Sequence, residues 1–65
     1  MGYTTPLDYV ESKLVERRNQ IKETLASGVV KDYAEYQRLC GVISGLDFAT
    51  ATTSDLAKRL EREDE

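Results

Sequence analysis

Cys40 is the only thiol in a chain of 65 residues that contains no histidine. A cysteine nucleophile needs a base or a neighbouring cation to become thiolate, and the ionisable groups near Cys40 on its own stretch are Arg38 and carboxylates. The spacing therefore offers no catalytic pair. The same two counts remove an intramolecular disulfide and an ordinary zinc site. Twelve Asp and Glu residues are spread along the chain, but none lies in an apolar setting that would raise its pKa for general-acid work. Arg17, Arg18 and Lys22 form the one basic cluster, and the interspersed Glu11, Glu16 and Glu23 make a solvated helical face of ion pairs its simplest reading. The net charge is −3, and the run Glu61-Arg62-Glu63-Asp64-Glu65 would repel phosphates. Nucleic-acid binding is disfavoured on that balance. The expected inventory is no catalytic residue, no metal, no cofactor and no small-molecule substrate.

The remaining distinctive residues suit contact rather than chemistry. Gly41-Val42-Ile43-Ser44-Gly45 has the small-x-x-x-small spacing that lets two helix backbones approach closely, and Cys40 and Ser44 keep the neighbourhood small. Mid-helix glycine costs about 1 kcal/mol relative to alanine, so two of them one turn apart call for a reason. Either the first helix of the same chain fills this groove or a partner does. Tyr9, Tyr33 and Tyr36 are expected at the hairpin edges, where an apolar ring face and a polar hydroxyl both find a place. Tyr3 precedes the first helix and belongs to a tail able to dock outward. Phe48 lies off the main apolar seam, beside Leu46 and Val42, and an exposed aromatic there points to a contact with something else. Tyr36, Cys40, Gly41, Val42, Gly45 and Phe48 are thus the candidate partner-binding residues.

Two long stretches must position these groups, because Pro6 is the only proline and the glycines stand at 2, 28, 41 and 45. The first opens with Thr5-Pro6-Leu7-Asp8, a capping residue, a proline for the first helical position and an acid for the free N–H groups. Leu7, Val10, Leu14, Ile21 and Leu25 follow at helical steps, with Arg18 interrupting the stripe. Ser27-Gly28 reads as a left-handed C-cap, with Val29 or Val30 folding back on the last turn. The second stretch begins with Asp32-Tyr33-Ala34-Glu35, a capping box. Leu39, Ile43, Leu46, Thr50, Thr53, Ala57 and Leu60 then keep a four-three spacing, a heptad seam whose middle is small and polar. The hydroxyl-rich run from Thr50 to Ser54 competes for backbone hydrogen bonds and marks a candidate break near residue 52. With three residues between Gly28 and Asp32, the helices must lie side by side and antiparallel.

The predicted fold is therefore all-α, an antiparallel two-helix hairpin over about 6–27 and 33–62. It forms a single module over 1–65, with flexible ends at 1–4 and 62–65. Leu39, Ile43 and Leu46 should close it against Leu14, Ile21 and Leu25. A chain this short buries only about 60% of its unfolded surface and rarely gains more than about 3–5 kcal/mol without a staple. Completion by oligomerisation or docking is the expectation. No apolar run approaches the roughly 18 residues of a membrane span, and no basic-then-apolar leader suggests secretion, so a soluble protein made in the cytoplasm is expected.

The segment Gly28-Val29-Val30-Lys31-Asp32-Tyr33-Ala34-Glu35-Tyr36-Gln37-Arg38-Leu39-Cys40-Gly41-Val42-Ile43-Ser44-Gly45-Leu46 carries a K-D-Y-x-x-Y-x-x-L-C-G-x-I-x-G-L pattern. It resembles that of short tailed-bacteriophage proteins, which look like those encoded among virion and head–tail genes. The likeness spans residues 7 to 63 by layout and is specific over 28 to 46. It implies a virion protein made in the host bacterial cytoplasm, and no catalytic residues. The resulting expectation is a non-enzymatic structural or adaptor component, binding other phage virion proteins, copies of itself, or both. An early phage protein that inhibits a host enzyme, with its acidic run as a nucleic-acid mimic, is the alternative. A small helical DNA-binding regulator is a third.

Overall fold

The computed structural model describes residues 5–63, which form two helices, α1 (Pro6–Ala26) and α2 (Tyr33–Glu63), packed against each other as a hairpin. The sequence-predicted bounds hold to within a residue. The first cap is as expected: the Asp8 amide donates to Thr5 Oγ1 at 3.1 Å, and Pro6 occupies the first turn, where its missing N–H costs nothing. Gly28 takes a left-handed φ of 82° and its amide reaches the Leu25 carbonyl at 3.5 Å. The next amide, that of Val29, donates to Ser27 Oγ at 3.4 Å, while the same hydroxyl donates to the Thr24 carbonyl at 2.7 Å. Ser27 thus relays the bond that a glycine-terminated helix would otherwise make directly through its backbone. Val30 is half-buried and Val29 exposed, so Val30 is the residue tucked in at the turn.

The second cap is only half of the expected box. Asp32 Oδ1 accepts from the Ala34 amide at 2.7 Å, but Glu35 turns away from the cap to grip Arg38 through two hydrogen bonds, at 3.0 and 2.7 Å. A charged, bidentate partner one turn ahead outcompetes a neutral backbone N–H behind.

The expected break near residue 52 does not occur. α2 runs unbroken for 31 residues, because the hydroxyls of Thr50 and Thr53 donate backwards to the carbonyls of Leu46 and Ala49, each at 2.8 Å. Those bonds satisfy the side chains without taking any amide from the helix ladder. At the end expected to be flexible, 62–65, Arg62 and Glu63 belong to α2. Residues 1–4, with Tyr3, and residues 64–65 lie outside the described residues.

The predicted seam faces the hairpin. Leu39, Ile43, Leu46, Thr50, Thr53 and Ala57 are half-buried, as are Leu7, Leu14 and Leu25 opposite, and Ile21, 4% exposed, is the single buried apolar side chain among the described residues, whereas Val10 and Leu60, also expected in the seam, are exposed toward the open end of the hairpin. The molecule measures 51 × 23 × 12 Å. A helix with its side chains is about 10–12 Å across, so the hairpin is two helices wide and one helix thick. Nothing within the described chain forms a second layer.

Candidate interaction surface

Arg18 interrupts the α1 stripe and resolves the interruption by reaching across it. Its guanidinium lies 3.1 Å from Asp47 Oδ1 of α2. It is half-buried, and its Nε is enclosed without a hydrogen-bond partner. The sequence places Arg18 in a solvated basic cluster; the structure places it in the seam, as the one ion pair seen between the two helices among the described residues. Arg17 instead donates to Gln20 at 3.3 Å, and Lys13 pairs with Glu16 at 3.6 Å. These are the within-helix contacts expected of a charged outer face.

The six candidate contact residues fall on two separate flanks of α2, since each residue advances about 100° around a helix. Tyr36 and Cys40 lie on one flank, near the turn. The rings of Tyr33 and Tyr36 stack with centroids 6.4 Å apart, and Tyr33 hydroxyl accepts from the Gln37 amide. Cys40 is free and half-buried one turn beyond Tyr36. A hydrogen bond between the Tyr36 phenol and the thiol, reinforced by the charge each would carry, holds the phenol pKa above its ordinary value. Tyr9 does not join this group: it belongs to the open end of the hairpin, where Lys13 Nζ sits 5.7 Å from its ring centroid.

Gly41, Val42, Gly45 and Phe48 lie on the other flank and the back of α2. Here α1 does not fill the glycine groove. A Cβ built on Gly41 or Gly45 would meet nothing within 4 Å, and both glycines are exposed. Phe48 is 74% exposed, and Val42 and Leu56 are exposed at 36% and 45%. Sequence reasoning missed how far this surface extends. Arg38, Val42, Gly45, Ala49, Thr52, Leu56 and Arg59 keep a second four-three spacing, set about a third of a turn from the first seam. Its signal was present in the same register count, carried by small residues rather than leucines. Ion pairs frame it: Arg38 with Glu35 at 2.7 Å, and Arg59 with Asp55 at 3.1 Å.

A concavity lies elsewhere. A cleft of about 550 Å3 opens where the first turn of α1 meets the last turns of α2, lined by Thr5, Pro6, Leu7, Asp8, Ala57, Leu60 and Glu61. Its ionisable groups are the carboxylates of Asp8 and Glu61. Among the described residues no group of His, Cys, Asp and Glu could hold a metal ion, and no helix is long and apolar enough to cross a membrane. Compared with known protein families, curated proteins and solved structures, the chain has no match.

Proposed function

We propose that this protein is a non-enzymatic structural or adaptor module that works by docking the outer face of α2 on another helix or protein surface. On the resemblance of residues 28–46, the particle it serves is a tailed-phage virion. The observation that carries the reading is that α2 has two heptad faces and α1 covers one. The uncovered face combines exposed Val42, Phe48 and Leu56 with open space over Gly41 and Gly45. Apolar residues beside a backbone stripped of side chains suit a close protein contact rather than solvent. The chemistry-bearing residues support the same reading. Cys40 has a phenol for a neighbour in place of a base, and Lys13, Arg38 and Arg59 are each paired with a carboxylate along the helix surfaces.

Mass spectrometry of purified particles of the phage that encodes the chain tests this. The chain should be present at a defined stoichiometry, and Phe48→Glu should remove it from particles while the variant stays helical in isolation. Absence of the chain from particles overturns the reading. Deleting residues 61–65 distinguishes the host-enzyme inhibitor, which would lose activity without its acidic run.

A further inference from the structure

The geometry points to a second copy of this chain as the occupant of the α2 outer face, the two α2 helices running antiparallel about a two-fold axis between Ala49 and Thr52. This deepens the proposed function and rests on its assignment of that face to docking.

Three observations carry it. The first is complementarity of size. In an antiparallel pair with that axis, Ala49 faces Thr52 of the second copy, and Leu56 of the second copy sits over Gly45, in the space where no atom lies within 4 Å of a built Cβ. Each contact occurs twice, as an isologous interface requires.

The second is complementarity of charge. The same register sets Arg38 opposite Glu63 of the second copy, again twice. Arg38 already holds Glu35 of its own helix, and Glu63 of the second copy adds a second carboxylate beside that guanidinium. Parallel pairing would instead align the two acidic runs, place Arg38 on Arg38, and set Gly45 on Gly45 with no side chain to fill the space. Opposed helix dipoles favour the antiparallel arrangement further.

The third is area. The chain exposes 5018 Å2, whereas a compact monomer of 7.3 kDa exposes about 4,200 Å2. The surplus, roughly 800 Å2, matches what each partner contributes to a standard-sized stable interface.

The test uses the full chain with Cys40→Ser as background. Gly45→Cys and Leu56→Cys chains, one isotopically labelled, are mixed at about 100 μM under glutathione disulfide, and the products are weighed. The mixed 45–56 disulfide should exceed both homodisulfides by about tenfold. Predominant 45–45 and 56–56 products mean a parallel pair and overturn the register. In parallel, Arg38→Glu and Glu63→Arg should each weaken self-association about tenfold, and the double swap should restore it. Failure of the swap to restore also overturns the register. A single-chain mass up to about 500 μM with no disulfide in any pairing overturns the second copy as occupant. If such a monomeric chain is still found in particles, and Phe48→Glu still removes it, the docking reading stands with another protein on the face.

Discussion

The two helices of the hairpin meet the same partner in opposite ways. α1 has one apolar stripe, from Leu7 to Leu25, and α2 covers it except at Val10, which is 42% exposed. Its other sides carry Lys13, Glu16, Arg17 and Gln20, paired among themselves. α2 has two stripes at heptad spacing and α1 can cover only one. The difference teaches that a one-layer fold distributes its deficit unevenly. The helix with a single stripe is complete once docked, while the one with two still presents Val42, Phe48 and Leu56 to water. Where the sequence makes a helix locally expensive, with Gly41 and Gly45 in its interior, it does so on the uncovered side. Placement there is informative, because the hairpin itself gains nothing from either glycine.

The comparison can be broken most forcefully at Ile21, the only buried apolar side chain of the described residues. Ile21→Ala should cost about 2–4 kcal/mol, close to the whole stability of so small a core, and circular dichroism should show α1 and α2 lost together. Next in size are the glycines. Gly41→Ala and Gly45→Ala meet open space and should each raise hairpin stability by up to about 1 kcal/mol in urea melts of dilute protein. Gly45→Leu should keep the hairpin and weaken association, since the added side chain takes the place of Leu56 of the second copy. No change in association on Gly45→Leu would detach the groove from the contact.

A smaller effect sharpens what joins the two helices. Asp47→Ala leaves the half-buried Arg18 guanidinium without its partner and should destabilise by about 0.5–1 kcal/mol, discounted because Asp47 is exposed. Arg18→Leu completes the α1 stripe and frees no buried charge, since Asp47 returns to water. Its melting temperature should equal or exceed that of the parent chain. The smallest effect is a pH response confined to α2. The hydrogen bonds from Arg38 hold the Glu35 carboxyl below its ordinary value of 4.5. A depressed folded pKa means the contribution is fully present above that ordinary value and is lost as pH falls through the lowered one. An NMR titration should show Glu35 titrating below its peptide value, and Arg38→Gln should return it upward.

Most of the fold was legible because its signals are local. Thr5-Pro6, Ser27-Gly28 and Asp32 mark helix ends by what a single turn needs, and the seam from Leu39 to Ala57 is a matter of counting. Three things were not legible, each for its own reason. Continuity through Thr50–Ser54 depends on hydroxyl rotamers, which composition does not reveal: turned back to a carbonyl one turn earlier, they leave the helix intact. Glu35 had two partners within reach, and only geometry decides for Arg38. Arg18 reads as surface charge because a basic cluster surrounds it, yet its position on the α1 stripe already set it in the seam. The candidate contact residues share this pattern. The sequence placed Tyr36 and Cys40 together with Gly41, Val42, Gly45 and Phe48, and the turn of the helix separates them to two flanks.

The account stands on the outer face of α2 being covered by a second copy, and the concentration dependence of thermal unfolding tests that most directly. Between about 5 and 500 μM the melting temperature should rise by several degrees, as mass action requires when association and folding are coupled. A melting temperature that stays fixed across that range, with cooperative unfolding and the mass of one chain throughout, would contradict it.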